Sequence, residues 1–143
     1  MIALSLAEIA AVTGGDLHVV GPHTPTTVVE GIVDTDSRMM AAGGIFVAKP
    51  GAETDGHRFV GAAVEAGAVL ALVEHRVDVE VTQIVVADVV TAIADLAREV
   101  VARVRAEGRL RIVGITGSNG KTTTKNFIAR ILEDEGETVA PIK

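Results

Sequence analysis

A mixed α/β fold is predicted by three features of the chain. Short apolar runs alternate with stretches of helical periodicity through the second half. Helix starts carry N-cap chemistry, at Ser5 and at Asp88. A glycine-rich turn, Gly114 to Lys125, stands between an apolar run and an amphipathic stretch.

The elements follow in order. Ser5-Leu6-Ala7-Glu8 is a capping box, so a helix is predicted to about Thr13, where Gly14-Gly15 stops it. β-like runs lie at Leu17–Val20 and Val28–Val33. Gly43-Gly44 precedes the compact apolar strand Ile45–Ala48, and Lys49 to His57 is a polar loop. Arg58 to Ala66 reads as a helix with Phe59, Ala62, Ala63 and Ala66 on one face, ended by Gly67. Strands are predicted at Ala68–Val73 and Gln83–Ala87. Asp88 caps a long helix to about Glu107, with Ile93, Leu96, Ala97, Val100 and Val104 at helical spacing, and Gly108 closes it. A strand at Leu110–Ile115, the glycine turn, a helix from Lys121 to about Glu135 and a strand start at Thr138–Ile142 complete the chain. A boundary near Gly108 makes residues 1–107 one domain and residues 108–143 the opening strand, loop and helix of a second.

Composition narrows the function classes. A chain of 143 residues with 48% hydrophobic content buries a core without disulfides or metals. Cysteine is absent, which excludes disulfides and thiolate metal sites and fits a reducing, cytoplasmic setting. The N-terminal stretch, with Glu8 in its middle, reads as a helix and not as a signal peptide. No apolar run has the length of a membrane span. The net charge is −6 and no Lys/Arg cluster is present, which argues against a nucleic-acid partner. Aromatics at 2% leave no platform for base stacking. Any phosphate ligand is therefore held by local donors. The oligomeric state is left open.

Two constellations carry chemistry. In the first, Thr116-Gly117-Ser118-Asn119-Gly120-Lys121-Thr122, the glycines let backbone N–H groups converge on one anion, and the helix N-terminus adds its partial positive charge. Lys121 reaches terminal phosphates and the Thr122 hydroxyl holds Mg²⁺, which reads as an ATP site. Ile115 stands where the standard phosphate-loop pattern has its first glycine, so an ordinary glycine-rich turn with an exposed lysine is the alternative. The second is Asp34-Thr35-Asp36-Ser37-Arg38 followed by the loop Lys49–His57. Ser37 offers a hydroxyl and Arg38 a planar fork suited to phosphate, and the loop offers backbone groups that can read a base edge. The plainer reading is a capped turn in which Arg38 pairs with a surface carboxylate. Asp55 and His57 have no third metal ligand near them in sequence, and His18, His23 and His75 read as isolated and solvated.

In this order the two clusters resemble a known family. Asp36-Ser37-Arg38, Gly44-Ile45-Phe46-Val47-Ala48, Gly51, Asp55-Gly56-His57-Arg58-Phe59-Val60, Ala63 and Gly67-Ala68 resemble the N-terminal domain of the Mur ligases, and Thr116 to Thr122 is similar to their ATP loop. The resemblance covers nearly the whole chain. Folylpolyglutamate synthase shares the ATP loop but not the Asp-Ser-Arg segment. Within the family, Ser118 and Lys125 point to the member that joins D-alanyl-D-alanine to UDP-N-acetylmuramoyl-tripeptide, with the ligase that adds the third amino acid as the alternative.

The resemblance implies an ATP-dependent amide ligase acting through an acyl phosphate, with Mg²⁺ as companion of ATP. It assigns ATP to Thr116, Gly117, Ser118, Asn119, Gly120, Lys121 and Thr122, with Lys121 catalytic and Thr122 on the metal. It assigns the UDP end of the precursor to Ser37, Arg38, Ala52, Glu53, Thr54 and Asp55. Such ligases run to several hundred residues, with metal-binding acids and a C-terminal domain beyond the position of Lys143. The chain is thus expected to be a fragment without turnover of its own, or a module that binds the UDP precursor and nothing more.

Overall fold

The computed structural model describes residues 2–51, 54–108 and 110–140. The chain divides into two compact units, Met1–Arg109 and Leu110–Lys143.

The first unit is built on a five-stranded sheet. Its strands are β2 (Asp16–His18), β4 (Val33–Asp34), β5 (Gly44–Val47), β6 (Ala68–Val73) and β7 (Thr82–Val85), in the order β2-β7-β6-β5-β4. β4, β5, β6 and β7 run parallel, and β2 closes one edge antiparallel to β7. A short antiparallel ribbon pairs β1 (Leu4–Ser5) with β3 (Val28–Val29). Parallel strands need crossovers, and α2 (Val60–Glu65) supplies the one between β5 and β6; α1 (Leu6–Thr13) precedes β2, and α3 (Val89–Ala106) follows β7.

Side chains alternate across the pleat, so each central strand serves two cores. Ile45, Val47, Leu70, Leu72 and Ile84 pack with Leu6 and Ile9 of α1 and Val89, Ala92 and Leu96 of α3. Phe46, Ala71 and Val73 belong to the other cluster, with Val60 and Ala63 of α2. Burial on both faces explains why β5 and β6 read as unbroken apolar runs.

Helix ends follow the expected chemistry. Ser5 Oγ accepts from Glu8 N–H at 3.2 Å, and Glu8 Oε2 accepts from Ser5 N–H at 2.8 Å. Gly14, at φ 63°, ends α1 in the left-handed region. Asp88 Oδ1 accepts from Thr91 N–H at 2.6 Å and starts α3. Glu8 Oε1 also takes Arg103 Nη1 at 3.0 Å, and Glu99 takes Arg103 Nε at 2.7 Å, so one guanidinium ties α1 to α3.

Several expectations are corrected. The run Val28–Val33 is two strands in different sheets, because the chain turns at Glu30-Gly31 and Gly31 lies so close to Gly43 that a Cβ there would collide with the Gly43 carbonyl. The segment 58–66 opens as a 3₁₀ turn, Gly56–Phe59, and α2 buries Val60 and Ala63; Phe59 is 43% exposed, and Ala62 and Ala66 also face water. On α3 the expected Leu96 is buried and Ile93 and Val100 pack against the same core, but Val89 and Ala92 join them and Ala97 of the expected face is exposed. In the second unit α4 spans Lys121–Leu132, but residues 110–115 form no strand, nor do residues 138–140. A strand exists by pairing, and among the described residues this run has no partner. Pro141 and Ile142, the end of the expected last strand, lie outside the described residues.

Candidate functional site

The C-terminal ends of β4, β5 and β6 share one end of the sheet, where ligands of open α/β sheets are taken up. The segments leaving it are Thr35–Arg38, Lys49–His57 and Glu74–Arg76. Four basic groups, Arg38, Lys49, His75 and Arg76, follow these strands closely, in a chain of net charge −6.

Two successive side-chain turns shape the first segment. Asp34 Oδ1 accepts from Asp36 N–H at 2.9 Å, and Asp36 Oδ1 accepts from Arg38 N–H at 3.0 Å. The short 3₁₀ turn Ser37–Met39 follows, with Ser37 half-buried. Arg38 folds back on the same aspartate, Nε to Oδ1 at 2.8 Å and Nη2 to Oδ2 at 2.6 Å. These bonds, led by the guanidinium's own, hold the Asp36 carboxyl at about 2. The plainer reading of Arg38 as a carboxylate partner is therefore what the geometry shows. Asp36 engages only the Nε–Nη2 edge of a group with five donors, and the Arg38 side chain is 85% exposed. Its other edge faces water.

The second segment is a closed loop. Pro50 bridges to Asp55, Gly51 N–H donates to Thr54 O at 3.0 Å, and Gly56 N–H donates to Lys49 O at 3.1 Å. A Cβ on Gly56 would lie 2.5 Å from Lys49 O, so the loop closes only over glycine. Thr54 is exposed. Ala52 and Glu53, expected to touch UDP, lie outside the described residues.

Asp55 is turned toward His57. Its Oδ1 accepts from His57 N–H at 3.0 Å and meets Nδ1 at 2.6 Å. His57 Nε2 accepts from Glu74 N–H at 2.9 Å, so the ring proton sits on Nδ1 and is donated to Asp55. The His57 backbone bond is the largest cause, and its ring the second, of an Asp55 carboxyl held below its ordinary value. The His57 side chain is 4% exposed, covered by His75, whose ring stacks on it at 4.0 Å and 16°.

His75 is thus not an isolated surface residue, and no sequence pattern hints at its pairing with a residue eighteen positions away. Asp55, His57 and His75 place ligand atoms within 4.8 Å of one another. A metal reading still fits poorly. Parallel rings send their in-plane lone pairs side by side, and both His57 nitrogens are already engaged. His23, also expected in solvent, has a buried Nδ1 without a partner among the described residues and lines a pocket of ≈ 300 Å³ with Thr27, Gly31 and Val69.

In the second unit, Gly117 at φ 151° and Gly120 at φ 78° turn the chain into α4. No side chain among the described residues caps α4, so the N–H groups of its first turn stay available to an anion. Lys121 Nζ donates to Gly117 O, which folds the ammonium over the loop. Thr116, Gly117, Ser118, Asn119, Gly120, Lys121 and Thr122 are all exposed. Lys49 and Arg76 were not singled out from the sequence; their signal is their position two and three residues past apolar parallel strands.

Two family descriptions match the chain. The Mur ligase family, catalytic domain, matches residues 31–120, and the Mur ligase middle domain matches residues 115–143. The first covers more than half of the sequence. The chain belongs to the Mur ligase family.

UDP-N-acetylmuramoyl-tripeptide–D-alanyl-D-alanine ligase of Mycobacterium tuberculosis is 40% identical over 163 residues, an alignment spanning 99% of this chain and 31% of that protein. UDP-N-acetylmuramoyl-L-alanyl-D-glutamate–2,6-diaminopimelate ligase of Chlorobaculum tepidum is 36% identical over 134 residues, 92% of this chain and 26% of that one. The chain thus spans about a third of the length of the first of these Mur ligases. In structure it is similar to MurF from Acinetobacter baumannii, with a TM-score of 0.73 and 33% identity over 92% of this chain and 28% of that one. The MurF ligase from Thermotoga maritima in complex with ADP gives a TM-score of 0.55 and 30% identity over 73% of this chain and 24% of that one. Like these relatives of its family, the chain has a mixed α/β fold with a mostly parallel sheet. No helix among the described residues is long and apolar enough to cross a membrane.

Proposed function

We propose that this chain is the amino-terminal part of an ATP-dependent ligase that joins D-alanyl-D-alanine to UDP-N-acetylmuramoyl-tripeptide in peptidoglycan synthesis. The observation that carries the reading is the 40% identity with the tuberculosis ligase across 99% of the chain, both constellations included. In this reading residues 1–107 take the UDP end of the precursor, and residues 108–143 open the ATP-binding domain.

The chemistry follows from the residues. ATP phosphorylates the precursor carboxylate and leaves as ADP. The amine of D-alanyl-D-alanine then attacks the acyl phosphate, and the amide forms with loss of phosphate and a proton. Phosphoryl transfer needs charge neutralisation and positioning more than covalent help. The amides of Gly117–Gly120 and the α4 N-terminus surround the phosphates, and Lys121 leaves Gly117 O for the γ-phosphate. The Thr122 hydroxyl is one hard oxygen for Mg²⁺, which when bound neutralises phosphate charge. Upstream, the free edge of Arg38, the Ser37 hydroxyl and the loop through Thr54 and Asp55 face the uridine diphosphate.

Calorimetry of the 143-residue chain with UDP-N-acetylmuramoyl-tripeptide tests the upstream assignment. Binding is expected, without turnover, and Arg38→Ala is expected to weaken it about tenfold through loss of charge-assisted bonds to phosphate. Equal affinity of the two proteins would remove Arg38 from the site. The diaminopimelate-adding relative supports a second reading. Complementation separates the two: the whole reading frame is expected to rescue a bacterium depleted of its D-alanyl-D-alanine-adding ligase. Rescue of the strain lacking the diaminopimelate-adding enzyme instead would reassign the substrate.

A further inference from the structure

His57 occupies a position that neither the nucleotide nor the ATP chemistry explains. It is 7% exposed, and every polar atom of its ring is turned to one of two places. On one side Nε2 accepts from Glu74 N–H, the first residue past β6, and Glu74 Oε1 in turn accepts from Val89 N–H at 3.1 Å, at the start of α3. That side is fixed to the sheet. On the other side the His57 N–H and Nδ1–H converge on one oxygen of Asp55, the residue that closes the loop against Pro50. His75 lies over the ring face and keeps water from it. A neutral imidazole with one donor and one acceptor is suited to such a bridge, since a second ring proton would face Glu74 N–H.

We infer that His57 is a positioning residue: it joins the base of the loop, Pro50-Gly51 and Thr54-Asp55, to the C-terminal end of β6 and so sets the backbone groups of Gly51 and Thr54 that are presented to the uridine diphosphate. The inference rests on the proposed assignment of this loop to UDP. It differs from a packing role in one respect. The bond to Asp55 orders the loop, whereas the bond to Glu74 satisfies a buried donor of the fold. The two can be removed separately. In His57→Asn the amide nitrogen replaces Nδ1 and keeps a donor toward Asp55, but the acceptor for Glu74 is lost. In His57→Gln the amide reaches the Nε2 position and keeps that acceptor, but the donor to Asp55 is lost.

The experiment measures UDP affinity by calorimetry, Tm, and amide hydrogen exchange in the 143-residue chain and both variants, with Arg38→Ala as reference. His57→Gln is expected to weaken UDP about tenfold and to speed exchange at the Gly51 and Gly56 amides, while the Ala48 amide, bonded to Leu72 O, stays protected. His57→Asn is expected to stay within about threefold of wild type in UDP affinity, to keep the loop amides protected, and to show the lower Tm. Equal loss of affinity in both variants, or affinity that tracks Tm across them, overturns the inference. If the wild-type chain takes up no UDP, the nucleotide reading fails on its own. The Gly51 and Gly56 amides then decide His57: opened by Gln but not by Asn supports the bridge, and equal exchange in both removes it.

Discussion

Glu8 does three things with one carboxylate. It accepts from Ser5 N–H and Ser5 Oγ in the capping box, and it takes Arg103 from α3. The backbone bond from Ser5 is the largest cause, and its hydroxyl and Arg103 follow, of a carboxyl lowered to about 2. A pKa lowered by folding makes the group stabilising above its unfolded value, here 4.5, and that contribution fades as pH falls toward about 2. Urea midpoints of wild type and Glu8→Gln are therefore expected to differ by a constant amount at pH 6–8 and to converge as the pH falls toward about 2. A difference that does not change with pH would show that the cap and the ion pair act without the charge. The same scale explains what was legible near the site. The Ser5–Glu8 box and the Asp88 cap are local patterns spanning one helical turn, so the sequence displays them. The Arg38–Asp36 pair is also local, and the plainer alternative anticipated it. His57 with Glu74 and His75 is a contact across the β5–α2–β6 crossover, and no local pattern marks it.

Elements were legible where burial is two-sided and caps are local. β6 runs over Ala68–Val73 as its apolar run predicts, and α3 starts at its Asp88 cap. Helix faces were less so, because Ala reads as apolar on either side. In the 58–66 segment the expected stripe is right at Ala63, but Phe59 drew it away from the buried Val60 onto the exposed side. Glycines at element junctions carry a sharper demand. Gly67, at φ 112°, links α2 to β6, and a Cβ there would lie 2.7 Å from Ala42 N and 2.9 Å from Ala41 C. Both the backbone angle and the contact oppose a side chain, and the obstacle is main chain that cannot swing aside. Gly67→Ala is expected to cost about 2–4 kcal/mol in urea unfolding. Gly61, inside α2 with open space around its missing Cβ, is the control. Gly61→Ala is expected to be neutral or to stabilise by up to about 1 kcal/mol. Equal effects of the two substitutions would mean that the Gly67 turn relaxes freely.

At the scale of the whole chain, each candidate site lies within one of the two compact units, so their ligands are separable by mutation. They also differ in surroundings. The upstream site is formed where a packed parallel sheet ends, with its loop closed by internal hydrogen bonds. Gly117 to Thr122 are exposed, and a charge pair in a water-like dielectric at about 4 Å is worth only about 1 kcal/mol. The net charge of −6 adds a weak general repulsion toward a polyphosphate. Mg-ATP is therefore expected to bind the 143-residue chain with a Kd above about 100 μM. Lys121→Ala is expected to weaken it only about two- to fivefold, as for an exposed ion pair, and to leave UDP affinity unchanged. Calorimetry with each nucleotide checks both. Low-micromolar ATP binding would show that the loop and the α4 N-terminus suffice by themselves, and a loss of UDP affinity in Lys121→Ala would show that the two sites act on one ligand.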